Sequence, residues 1–212
     1  MIGTTVSTTN PDFIIDCLKK AFAGYRIDAS KELLRNSRGK NKMTMIKEIL
    51  VHNNLADDLA EPILHSFNHI VNKSLNAFTE MKAVPEVFSF LKQKDIRIAV
   101  GSGLSESLFY ALFNHLDWGK YRFDYIGIAE LLGKSRPDPA MILDMMQHLK
   151  IENPGEVLKI GDTVADIREG KNAGARTAVV LSGTQEENIL RNEKPDHILS
   201  SLQDLLKLQL WN

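Results

Sequence analysis

The feature that most constrains the fold is a change of hydrophobic period at Val84-Pro85. Beyond it, short apolar runs rich in β-branched residues alternate with segments of helix length. The runs are Arg97-Ile98-Ala99-Val100, Tyr125-Ile126-Gly127-Ile128, Val157 to Ile160 and Thr177-Ala178-Val179-Val180-Leu181. Strand-helix-strand units of this length argue for a parallel sheet with helices on both faces. A last pair, strand His197-Ile198-Leu199 and a helix from Leu202 to Leu210, finishes this half. From Asp12 to about Glu80 the apolar positions instead recur at helical spacing, as in Phe13, Ile14, Cys17, Leu18 and Phe22. Breakers at Gly24, Asp28 to Ser30, Ser37 to Gly39 and Asn53-Asn54 divide that stretch into about four helices, with no strand expected among them.

Within the alternating half, Ile160-Gly161-Asp162-Thr163-Val164-Ala165-Asp166-Ile167 sets two carboxylates four residues apart where a strand turns into a helix. One turn of helix brings such side chains to the same face, at the carboxyl edge of the sheet where open α/β folds bind ligands. Mg²⁺ takes oxygen ligands, commonly one or two protein carboxylates plus water and phosphate, so Asp162 and Asp166 suffice for a half-site. The alternative is structural: Asp162 caps the helix and Asp166 complements its dipole.

Two further strand ends carry polar groups. Gly101-Ser102-Gly103 places a hydroxyl between glycines before a helix opened by Ser105 or Glu106, a setting for a phosphoryl oxygen or for a plain capped turn. Gly133-Lys134-Ser135-Arg136-Pro137-Asp138-Pro139 puts cations in a proline-stiffened loop leading into a helix from Ala140 to Leu149. There Arg136 can neutralise a phosphate bidentately, or serve as an ordinary surface charge.

Composition limits the partners. A net charge of -1 gives no field to draw in nucleic acid or an anionic membrane, so small molecules are the expected partners. The single cysteine, Cys17, forms no intrachain disulfide and is expected on a packed helix face in a reducing compartment. No apolar run reaches the roughly 20 residues that span a bilayer, and no secretory leader opens the sequence, so a cytoplasmic location is expected. The tail from Leu205 to Trp211 includes apolar residues for packing on the core or on a partner, which leaves an oligomer possible.

The order of these motifs resembles that of the haloacid dehalogenase-like hydrolases. Their second, third and fourth motifs match Ser102, Arg136 with Pro137 and Pro139, and Asp162 with Asp166. The resemblance implies a Rossmann-like parallel-sheet core, residues 1–10 and 82–212, with an inserted helical cap domain at 11–81. The phosphonatase-like branch is the most similar, through Gly3-Thr4-Thr5-Val6, Gly39-Lys40-Asn41-Lys42, Leu181-Ser182-Gly183-Thr184 and Asp196-His197-Ile198-Leu199. In phosphonatases the cap lysine forms a Schiff base with an aldehyde, which singles out Lys42. The histidine that accompanies it there is Met45 here.

The resemblance implies a Mg²⁺-dependent hydrolase of a small phosphorylated or phosphonate metabolite, acting through an aspartyl-phosphate. Asp162 and Asp166 would hold the metal. Thr4, Gly101, Ser102, Gly103 and Arg136 would bind the phosphoryl group, with Ser102, Arg136 and Lys42 as the catalytic set. The family's first motif, Asp-x-x-Gly-Thr, supplies the nucleophile from the end of the first strand. Counting back from Gly3, that aspartate falls just upstream of Met1, so the residues given are expected to have little activity by themselves. A non-catalytic phosphoryl-binding or structural relative is the alternative. Without the first strand, a gap is expected in the middle of the sheet.

Overall fold

The computed structural model describes residues 1–208. The chain is α/β. Strand β1 (Val6–Thr8) is followed by four helices, α1 (Phe13–Ala23), α2 (Lys31–Asn36), α3 (Lys42–His52) and α4 (Ala60–Asn72), and by strand β2 (Phe78–Glu80). The alternating half follows as α5 (Val84–Gln93), β3 (Ala99–Ser102), α6 (Glu106–His115), β4 (Tyr125–Ile128), α7 (Ala129–Leu132), α8 (Ala140–His148), β5 (Leu158–Gly161), α9 (Val164–Asn172), β6 (Arg176–Val180), α10 (Glu187–Asn192) and β7 (His197–Leu199).

The helical stretch is not strand-free as expected. Phe78–Glu80 pairs antiparallel with Val6–Thr8, Val6 opposite Glu80, so the four helices leave and return through a two-stranded ribbon. Three residues are too few for alternation to register against helical flanks. The second run is also displaced: the strand is Ala99–Ser102, not Arg97 to Val100. Asp124 explains the shift, because its carboxylate takes the Ile98 N–H at 2.7 Å and its own N–H binds the Ile98 carbonyl at 2.9 Å. The expected helix from Leu202 is a 3₁₀ segment, Leu202–Lys207, held by a capping box between Ser201 and Asp204. The expected continuation over Gln209 and Leu210, like Trp211 of the apolar tail, lies outside the described residues.

Apolar side chains of the cap helices, among them Phe22, Ile46 and Phe67, share one core with Leu108, Phe109 and Leu112 of α6. Cys17 is buried in that core, as expected. A second cluster joins Val87 and Leu91 of α5 to Ala178, Val180 and Leu199 on one face of the sheet. No helix among the described residues is long and apolar enough to cross a membrane.

The parallel sheet is split. β3 pairs with β4, and β5 with β6 and β7, but no ladder joins β3 to β5 among the described residues. The expected gap therefore lies between these two strands. It is a cleft of about 510 Å³ walled by Val87, Phe88, Ile98, Val100, Leu158 and Ile160. Leu158, Lys159 and Ile160 are only half-buried, although interior parallel strands are ordinarily covered on both faces. Two buried polar atoms of residues lining the cleft, Glu169 Oε1 and Arg176 Nε, have no hydrogen-bond partner among the described residues.

Candidate functional site

β5 ends at Gly161, and α9 begins at Val164 with Thr163 as its cap. The Thr163 hydroxyl oxygen accepts from Asp166 N at 3.2 Å and donates to Asp166 Oδ2 at 2.6 Å. Capping by Thr163 releases Asp162 from that role, so the purely structural reading of the pair does not hold for it. Asp162 instead accepts at Oδ2 from the Thr184 amide (2.9 Å) and hydroxyl (2.6 Å), and at Oδ1 from the Thr4 hydroxyl (3.2 Å). Gly3 closes over this carboxylate with φ +90°, and a β-carbon there would lie 2.1 Å from Asp162 Oδ2, so only glycine fits.

Arg136 and Lys159 hold Asp166 from the other side. Arg136 Nε lies 3.4 Å and Lys159 Nζ 3.0 Å from Asp166 Oδ1, and both also bind Glu169 Oε2, at 2.8 and 2.6 Å. Burial opposes ionisation of Asp166, yet the two cations outweigh it and hold the carboxyl well below the usual range. Asp162 moves the other way: burial, and then the charge of Asp166, raise its pKa. Burial likewise works against the Arg136 cation, and Glu169 and Asp166 overcome it.

Ser102 ends β3 and is buried, its oxygen accepting from Leu104 N at 3.1 Å. The cap touches the core here. Lys42 N donates to the Gly103 carbonyl (3.2 Å), Asn41 N to the Ser135 hydroxyl (2.9 Å), and Arg136 Nη1 to the Gly39 carbonyl (3.2 Å). Gly39, at φ +87°, packs so tightly that a β-carbon would meet Thr163 Oγ1 at 2.3 Å. Lys42 opens α3, and its Nζ reaches the Lys40 carbonyl (3.3 Å) and Met45 Sδ (3.5 Å). Burial, with a smaller push from Arg136, lowers its pKa to about 8.

These groups surround one cavity of about 90 Å³. Gly101, Ser102, Gly103, Arg136, Asp162 and Asp166 line it from the core, and Lys42 from the cap. Thr4 stands behind Asp162 and is not among its lining residues. Most of the guanidinium of Arg136 is engaged by Glu169, Asp166 and the cap carbonyl, so it clamps the site from its edge.

The donor set suits a hard cation. Asp162 and Asp166 are buried carboxylates whose mutual repulsion a divalent ion would relieve. Among the described residues no group of three His, Cys, Asp or Glu side chains forms a fuller ligand cluster.

Sequence reasoning missed Lys159, Glu169, Thr184 and Arg38. Lys159 had a signal, being a lone charge inside an apolar strand. So did Glu169, which falls one turn after Asp166 on the same helix side and is 1% exposed. Thr184 and Arg38 lie on loops, where no periodicity indicates direction.

The chain is similar to several known proteins. Phosphonoacetaldehyde hydrolase of Bacteroides fragilis is 27% identical over 187 residues, covering 82% of this chain and 71% of that protein. Phosphoglycolate phosphatase of Aquifex aeolicus is 36% identical over 125 residues, covering 59% of this chain and 56% of that one. A crystal structure of a hydrolase from Pseudomonas syringae shares the fold, with a TM-score of 0.85 at 16% identity over 97% of this chain and 93% of that chain. Residues 3–180 match the haloacid dehalogenase-like hydrolases, and the chain belongs to that family.

Proposed function

We propose that the protein is a Mg²⁺-dependent hydrolase of a small phosphorylated or phosphonate metabolite, working through an aspartyl-phosphate. Membership of the family supports the phosphohydrolase function. The observation that carries the finer reading is the meeting of Asp162, Asp166, Ser102 and Arg136 at one end of the parallel strands around a single small cavity.

Asp162 and Asp166 would hold Mg²⁺, which when bound neutralises charge on the phosphoryl oxygens. Ser102 and the amides of Gly101 and Gly103 orient the transferring oxygens, and Arg136 adds positive charge at the edge. Lys159 and Glu169 keep Arg136 and Asp166 ionised and fixed, so the site is preorganised by side chains that do not touch substrate. Thr4 and Thr184 fix the position of Asp162 by hydrogen bonds. Lys42 faces the substrate from the cap. The attacking carboxylate belongs at the end of a strand in the cleft between β3 and β5, which opens beside Met1 and Thr4.

Isothermal titration with MgCl₂ and inorganic phosphate tests the reading. Phosphate binding that requires Mg²⁺ and disappears in Asp162→Asn is expected. Phosphate binding that ignores both the metal and the substitution would contradict it.

A further inference from the structure

The cap brings more positive charge to the cavity than a phosphoryl group held on the core requires. Arg38 and Lys42 both line it, and neither belongs to the ion network of Arg136 and Lys159. Arg38 follows α2, and its side chain is 11% exposed. Among the described residues only its Nη2 finds partners, the Pro11 carbonyl at 3.3 Å and the Asp12 carboxylate. Asp12 also binds Arg35 and Lys31, and Asp16 pairs only with Lys31, so two carboxylates serve three cations and Arg38 shares its one counter-charge. Lys42 has less compensation still. Its amine meets a carbonyl and a thioether, and no carboxylate pairs with it among the described residues.

Unpaired cations at a pocket wall are costly unless an anion joins them. The core end of the cavity already supplies a phosphoryl seat. We infer that Arg38 and Lys42 form a second anion-reading end of the same pocket, and that the substrate carries a carboxylate two or three bonds from its phosphorus. The inference rests on the phosphoryl site proposed above and adds the class of substrate, a short phosphorylated or phosphono acid. The small cavity favours such a compact dianion. Asp12 acts as a positioning residue by fixing one edge of the Arg38 guanidinium and leaving Nε and Nη1 for the ligand.

With a pKa near 8, the Lys42 amine is mostly protonated at neutral pH, which suits it to hold a carboxylate. Met45, beside it, offers a thioether and no proton relay for carbonyl condensation.

Calorimetric titration of the full chain in MgCl₂ with phosphonoacetate and with phosphonoacetamide, an isostere whose carboxylate is replaced by an uncharged amide, tests the inference. Phosphonoacetate is expected to bind at least about tenfold tighter, as a charge-assisted pair implies. Arg38→Met is expected to remove most of that preference while leaving phosphonoacetamide binding in place, which also shows that the variant is folded. Arg38→Lys should retain part of the preference, and Lys42→Met should reduce it independently. Equal binding of the two probes by the parent chain, or a preference untouched by both Met variants, would overturn the second end alone. Failure of both probes to bind would overturn the phosphoryl site and this inference with it.

Discussion

Thr163 and Asp166 form a reciprocal pair: the hydroxyl accepts the Asp166 amide and donates to the Asp166 carboxylate at 2.6 Å. One side chain thus caps α9 and fixes a candidate metal ligand. Thr163→Ala removes both bonds. A stability loss of about 1 kcal/mol is expected from the lost cap, read as a lower urea midpoint, together with weaker Mg²⁺ binding by calorimetry. Thr163→Ser should restore both.

Glu169 is the counter-ion on which the buried cations depend. It accepts from Arg136 and Lys159 and is 1% exposed. Glu169→Ala leaves two cations with only Asp166 between them and should destabilise the protein by about 3–5 kcal/mol. Chemical denaturation checks the value. A loss under 1 kcal/mol would mean that the network is not closed in solution.

Lys42 gives a stability dependence of opposite sign to that of a paired lysine. Its folded pKa is about 8 against an ordinary 10.5, so the unfolded chain holds the proton more strongly between those values. Stability contributed at this site therefore rises as pH increases from about 8 to about 10.5. Lys42→Met should abolish that rise and stabilise the protein at pH 7, by about 1–3 kcal/mol. Urea melts of both proteins across that pH window provide the comparison.

Asp12 behaves in the reverse sense. Hydrogen bonds from Arg35 first, then Lys31 and the charge of Arg38, hold its carboxyl well below the ordinary 3.8. Its contribution is complete above that value and is lost as pH falls through the lower folded pKa. Asp12→Asn should flatten the acid limb of the stability profile. Part of the effect should fade in high salt, because Lys31 and Arg35 face solvent.

Much of this arrangement was legible from spacing alone. The order of Ser102, Arg136, Asp162 and Asp166 along separate strand-helix junctions marked the site, because a parallel sheet brings all its strand ends to one edge. Phe78–Glu80 escaped notice because a three-residue ribbon carries too little pattern against helical flanks. Ala99–Ser102 was misplaced by two residues because Asp124 satisfies the Ile98 backbone from outside the ladder. The roles of Lys159 and Arg38 depend on which way a side chain points, and period-2 or period-3.6 reasoning gives only a face. The split between β3 and β5 is where the gap implied by the family resemblance falls, which spacing by itself did not locate.

The most direct test joins an apolar, β-branched segment of five residues ending in Asp to Met1, so that it can enter the cleft beside β3 and β5. Mg²⁺-dependent release of phosphate from small phosphoesters is expected, together with a higher melting temperature. The same extension ending in Asn should raise the melting temperature without turnover. An Asp-ended extension that stabilises the fold yet releases no phosphate from any member of a phosphoester and phosphonate panel would contradict the proposed hydrolase.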